Sequence, residues 1–196
     1  TMVGQGPAGS TPTFSNASLT GNYVFSDAGG SVLGSMALVG QFTANGSGGF
    51  TAGFADLNEG GSNSSGSIAA LSSYTIAADG TGNLILPGAL GATQDVASLM
   101  IFATDPAINL VDPSDPNGGG GALVLDFDNS TVGAGVIMPQ STGTVTGDYA
   151  VSLQFITTGG ENDLVGQIVA DGAGNLSGSV DLNNVGVIFS TVGFTG

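Results

Sequence analysis

The chain offers few side chains with which to do chemistry. None of its 196 residues is Lys, Arg, His, Cys or Trp, and its acids are thirteen Asp and two Glu. The two glutamates, Glu59 and Glu161, are the first candidates, because a glycosidase works with a pair of carboxyl groups across a cleft. Neither lies in a recognisable motif, and there is no tryptophan to act as a sugar platform. Ser–His and Cys–His nucleophiles and Schiff-base lysines are excluded by composition. Zinc, haem and iron–sulfur centres lose their usual ligands. An enzyme is therefore not expected, and neither is a cofactor. Oxygen chemistry is what remains. Asp105, Asp112 and Asp115 crowd one region, and Asp126 and Asp128 bracket Phe127. Oxygen-only clusters suit Ca²⁺. The regular spacing of a calcium loop is missing, however, and turn formation explains these Asp residues equally well. Calcium stays only as the alternative to turn formation.

Asn-x-Ser/Thr occurs at Asn16, Asn45, Asn63, Asn129 and Asn175. Such triplets arise by chance in a chain rich in Asn, Ser and Thr, and Asn45 is needed for a turn. Asn63 and Asn129, both in expected loops, are the candidates for N-glycosylation.

Charge narrows the partners. The formal net charge is −15, and only 8% of residues are charged, against about 25% in an ordinary soluble chain. Nucleic acid is not an expected partner, because Lys and Arg must neutralise phosphate. Anionic lipid would repel the chain. Its apolar runs fall well short of the ~20 residues that span a bilayer, so membrane insertion is not expected. Few reactive side chains and no trypsin site suit an extracellular or cell-surface location. Drift in a lineage of acidic secreted proteins explains the composition as well.

The elements that hold these residues are organised by a repeat. Leu38 to Phe50 returns as Leu164 to Leu176, with seven identities in thirteen positions. Each copy reads as a strand, an Asn-Gly or Asp-Gly turn, and a returning strand. Leu19-Thr20-Gly21-Asn22-Tyr23 likewise matches Val145-Thr146-Gly147-Asp148-Tyr149. Asp56-Leu57-Asn58 matches Asp181-Leu182-Asn183 after a one-residue deletion. Three parts follow: residues 1–18, a flexible leader or docking arm; 19–140, a complete β unit; and 141–196, a partial second copy.

Within the first unit, strands are expected near Leu19–Ser26, Met36–Ala44, Phe50–Leu57, Ile68–Ala77, Leu84–Leu86, Val96–Ala103, Ile108–Val111, Ala122–Phe127 and Val132–Met138. Residues 60–66 read as a loop. The second unit gives Gly147–Phe155, Leu164–Ala170, Asn175–Leu182 and Val185–Phe194. No stretch carries a helical period. The expected fold is all-β, an antiparallel barrel or sandwich unit followed by part of a second.

The order of motifs, Leu19 to Ser26, Gly40 to Phe50, Asp56 to Gly60, Tyr74 to Gly82 and Leu125 to Gln140, resembles the glycine-rich tandem β-repeat units of large secreted and surface proteins of acidobacteria-like bacteria. The resemblance implies tandem extracellular units without catalytic residues.

Four strands make a poor independent core, so the second unit needs a partner. The expected role is structural: a subunit of a surface filament or matrix, built by β-strand complementation between copies of the chain. Phe14, Ile188, Val192 and Phe194 are the expected contact residues, with Ile188, Val192 and Phe194 on one face. The alternative is an extracellular module that binds glycans, with Tyr23, Tyr74 and Tyr149 as its polar aromatics.

Overall fold

The computed structural model describes residues 5, 11, 13–68, 72–86, 98–107, 120–127, 130–140, 143–157 and 159–196. It separates into two units, Thr1–Ser141 and Thr142–Gly196. The first holds a 3-10 turn at Asn16–Ser18 and strands β1 (Thr20–Ser31), β2 (Gly34–Asn45), β3 (Phe50–Glu59), β4 (Ser62–Ser67), β5 (Ser73–Ile76), β6 (Thr81–Ile85), β7 (Ser98–Ala103), β8 (Ala122–Asp126) and β9 (Thr131–Pro139). The second holds β10 (Thr146–Thr157), β11 (Gly160–Asp171), β12 (Leu176–Asn184) and β13 (Val187–Thr195). The all-β expectation holds.

The nine strands among the described residues of the first unit form one curled antiparallel sheet, a half-barrel, in the order β4-β3-β2-β1-β9-β8-β7-β6-β5. Two meanders, β1–β4 and β5–β9, are joined where β9 pairs with β1. Their alternating apolar residues meet inside the curl. Tyr23, Phe25, Leu38, Phe42 and Leu57 come from one meander, and Tyr74, Leu84, Leu99, Ile101 and Ile137 from the other; all are buried. The joint relies on glycine. Gly29 sits opposite Gly133, and a Cβ on Gly29 would strike the Val132 backbone. A Cβ on Gly133 would come within 2.6 Å of the Asp27 carboxylate, which is buried on the inner face.

The curl is pinned at the strand end near the β2–β3 turn. The Tyr74 amide donates to the Gly48 carbonyl at 2.9 Å, and Ser73 bridges Gly49. The Tyr74 hydroxyl lies 2.7 Å from the Leu19 carbonyl and 3.1 Å from that of Asn16. Asn16 Oδ1 in turn accepts from the Ile76 amide at 2.8 Å. Burial pushes the Tyr74 phenol above its ordinary value, so it remains a neutral hydrogen-bonding group. The described end of the leader belongs to this unit: Phe14 is 4% exposed, in the core, and its amide donates to Ala78 O.

The second unit is one sheet, β10-β11-β12-β13, and it repeats β1–β3 pair for pair. Thr20↔Asn45 through Ser31↔Gly34 becomes Thr146↔Asp171 through Thr157↔Gly160. The deletion read from the sequence falls at a bulge. In the first unit the register shifts beside Ala44, which faces Phe50 while Thr43 faces Ala52. In the second, Ala170 faces Leu176 and Val169 faces Ser177 without interruption. Thr51 is the residue without a counterpart.

The hairpin turns match as well. Asn45 Oδ1 accepts from the amides of Ser47 (2.8 Å) and Gly49 (3.0 Å). Asp171 Oδ1 accepts from Ala173 (2.7 Å) and Asn175 (3.0 Å). Gly46 and Gly172 carry φ of 74° and 77°, which only glycine adopts without strain. Residues 60–66, expected as a loop, instead supply edge strand β4. Its Ser/Asn/Gly sequence has no apolar alternation because the strand is held by backbone pairing to β3.

Two predictions follow from these contacts. Tyr74→Phe removes the hydroxyl that donates to the buried Leu19 carbonyl, and a loss of about 1–2 kcal/mol is expected in urea unfolding. At Asp171, the Asn175 side chain and then the Ala173 and Asn175 amides hold the carboxyl below its ordinary 3.8. A depressed folded-state pKa stabilises fully above the unfolded value, and that contribution is lost as pH falls through the folded value. The amide shifts of Ala173 and Asn175 should therefore move together below about pH 4. In Asp171→Asn, which reproduces Asn45, they should stay flat.

Candidate functional site

In an antiparallel pair, residues directly opposite point to the same side of the sheet. The register of the second unit therefore assigns every side chain to one of two faces. Tyr149, Val151, Leu153 and Phe155 of β10 share a face with Leu164, Ile168 and Ala170 of β11. The pairing of β11 with β12 adds Leu176, Val180 and Leu182, and β13 adds Val187, Phe189, Val192 and Phe194. This face is apolar over all four strands. The opposite face carries Asp148, Glu161, Asp163, Asp171 and Asp181, all five carboxylates of the unit.

The apolar face is open. Leu153 is 55% exposed, Phe155 42% and Phe189 46%. The matching positions in the first unit are closed: Tyr23, Leu38, Phe42 and Leu57, counterparts of Tyr149, Leu164, Ile168 and Leu182, are at most 5% exposed. Tyr149 keeps the local bond of its counterpart. Its hydroxyl donates to Thr146 O at 3.1 Å, as that of Tyr23 does to Thr20 O at 3.5 Å.

A bulge decides which residues of β13 reach this face. Val180 pairs with Val192 but Leu182 pairs with Phe189, so Ser190 and Thr191 together stand opposite Asp181. The Asp181 carboxylate accepts from the Thr191 amide at 2.6 Å and holds Thr191 at φ 55°. Strict alternation had placed Ile188 with Val192 and Phe194. The bulge corrects this: Ile188 pairs with Asn183 and lies on the carboxylate face. Val192 and Phe194 share the apolar face with Phe189 and Val187. Phe14, the fourth expected contact residue, is buried in the core of its own unit instead.

The other candidate residues are dispersed. Asn63 is exposed on edge strand β4 and accepts from Asn58 Nδ2 at 2.8 Å. Asn129 lies outside the described residues, as do Asp112, Asp115 and Asp128. Asp105 accepts from the Ala107 amide two residues on, at 2.8 Å. Asp126 is buried and accepts from the Thr131 hydroxyl. Among the described residues no three His, Cys, Asp or Glu are grouped to hold a metal ion. Glu59 is buried at the end of β3, whereas Glu161 is exposed in β11 of the other unit. Of the three tyrosines weighed as glycan contacts, Tyr23 and Tyr74 are buried and Tyr149 lies on the apolar face.

Sequence reading missed most of this face. The signal was available: the residues of the second copy aligned with the apolar alternation of the first mark it on β10, β11 and β12. Nothing in the sequence marked the bulge, which depends on a carboxylate ten residues from the amide it binds.

Thr191 is β-branched and sits in the left-handed region, where such residues are strained. Thr191→Gly should relieve about 1 kcal/mol while leaving the pairing of Val192 with Val180 intact. Slower amide exchange across β12 and β13 would show it, and faster exchange would overturn the assignment. No known protein family and no curated protein matches the chain.

Proposed function

We propose that the chain is a structural extracellular protein, a subunit of a surface filament or matrix in which neighbouring subunits complete the sheet of the second unit. One observation carries the reading: a face buried in the first unit is repeated, register for register, as an open apolar face in the second. The sheet edge points the same way. In the first unit β1 is flanked by β2 and β9, whereas β10, its counterpart, pairs with β11 alone among the described residues. A free strand edge beside an apolar face is what strand addition uses, and the chain has no lysine with which to guard such an edge. A contact that does not close on itself propagates into a filament. The extracellular setting is supported by composition: few reactive side chains and no lysine or arginine for trypsin.

Electron microscopy of negatively stained full-length chain tests the reading directly. Regular filaments or sheets are expected, and dispersed particles under all conditions overturn it. The charge of −15 opposes assembly at neutral pH and low salt. Light scattering should therefore rise as carboxylates are protonated toward pH ~4. It should also rise with salt at pH 7, where screening shortens to ~3 Å at 1 M while the turn carboxylates stay ionised. Scattering that is flat on both axes would overturn the proposal.

A further inference from the structure

We infer that the neighbour covering the open face is the same face of a second copy, so that two second units close into a symmetric two-layer β-sandwich. This rests on the reading of the chain as an assembling subunit and names the contact.

The first unit shows what kind of surface covers this face. There, the apolar side of β1–β3 packs against the apolar side of another sheet segment, β5–β9, within the same curl. The occupant is thus a sheet presenting an apolar face. In a second copy, β5–β9 is already engaged in its own core. A second copy offers such a sheet in its own β10–β13, whose open apolar face runs across all four strands.

Charge distribution favours like-with-like. A chain of net charge −15 repels its own copies, yet all five carboxylates of the second unit lie on the face turned away from the contact. Two copies can meet without bringing a carboxylate into the interface. The differences between the copies of the repeat act in the same direction. Asp27, buried beside Gly133, becomes Leu153, and Gly29, which lets β9 approach, becomes Phe155. A β9-type strand seated as in the first unit would meet a Cβ at position 155. An apolar sheet lying over the face, about 10 Å away as in β-sandwiches, would not.

The area is sufficient. Four strands at ~4.8 Å spacing and about ten residues at ~3.3 Å cover roughly 600 Å² in plan per copy. With side-chain relief this approaches the ~800 Å² per partner of a standard specific interface. Aligned packing at about 30° is the arrangement open to two such twisted sheets. Because each copy offers the same patch, the contact is two-fold and closed; filament growth would then use the free strand edges.

Paired substitutions on the two faces of the same sheet test this in the full-length chain. Val192 lies on the apolar face at 45% exposure, and Ile188 on the carboxylate face at 61%, opposite Asn183. Sedimentation equilibrium at pH 7 and 0.15 M salt should give twice the 18.9 kDa chain mass for wild type. Val192→Asp should dissociate at least 100-fold more readily, and Ile188→Asp should behave as wild type, with unchanged far-ultraviolet circular dichroism for both. A wild-type chain that stays at single mass overturns the inference, as closure by the chain's own first unit would do. Assemblies that Val192→Asp leaves intact, or that Ile188→Asp weakens equally, also overturn it. Discrete dimers without filaments would support this contact while sinking the filament proposal. Filaments that survive Val192→Asp would do the reverse.

Discussion

An antiparallel sheet with one apolar face is stable when another apolar surface takes that face out of water, and this constraint organises the whole chain. Without lysine, arginine or histidine the protein can form no side-chain ion pair. Burial and backbone pairing must hold it together. In the first unit the covering is internal. Phe42 contacts Tyr23, Phe25 and Phe50, with ring centroids 5.5, 5.8 and 4.7 Å away, and Phe50 reaches Tyr74 at 5.4 Å. Each fully buried large side chain contributes about 1.5–3 kcal/mol, far more than a surface charge pair could supply. Tyr74 connects this row to the polar pin on the leader, so the residue that ends the aromatic stack also fixes where β5 returns.

The missing cations reshape how carboxylates are used. In most proteins Asp would find Lys or Arg; here it finds amides and hydroxyls. Asp79 accepts from the Thr81 amide at 3.0 Å and its hydroxyl at 2.7 Å, Asp105 from Ala107, and Asp56 from the Ser65 hydroxyl. Asp171 and Asp181 bind amides of a turn and a bulge. Hydrogen bonds to a charged acceptor are stronger than neutral ones. The abundant Asp, Ser, Thr and Gly thus act as one system, in which glycine supplies the left-handed turn and Asp binds the amides that the turn exposes. Bonding of this kind is local, and it fixes turns and bulges without specifying which strands pair over long distances.

That division explains what could be read from the sequence. The Asn45 and Asp171 turns, the β2–β3 and β11–β12 hairpins that they close and the all-β class follow from local chemistry and the 126-residue offset, because hairpin register is set by its turn. The pairing of β9 with β1 is long-range, and no local pattern announces it. β4 was hidden because an edge strand of Ser, Asn and Gly lacks alternation. Phe14 was hidden because a single aromatic in a Gly/Pro/Ser/Thr stretch has no period, although its ring reaches the core. The apolar face of the second unit was half legible. Val192 and Phe194 are on it, but alternation carried Ile188 to the wrong side, since a bulge inserts one residue and reverses every side chain beyond it.

The two faces of the second unit also impose opposite rules on what can approach. An apolar face with no carboxylate attracts any apolar surface, and such patches usually risk indiscriminate sticking. Here the layer behind it carries five like charges. In the face-to-face pair proposed above, the surfaces left outward would both be acidic, and a third copy approaching in the same way would meet repulsion in place of a further apolar layer. The segregation of charge would therefore limit such stacking to two layers, while leaving the strand edges, whose backbone groups carry no net charge, as the route for the proposed lateral growth. A chain with no cation cannot use complementary charges to choose its partners; it can choose only by where it places its carboxylates, and the alternation of a strand, with one bulge at Thr191, does the placing.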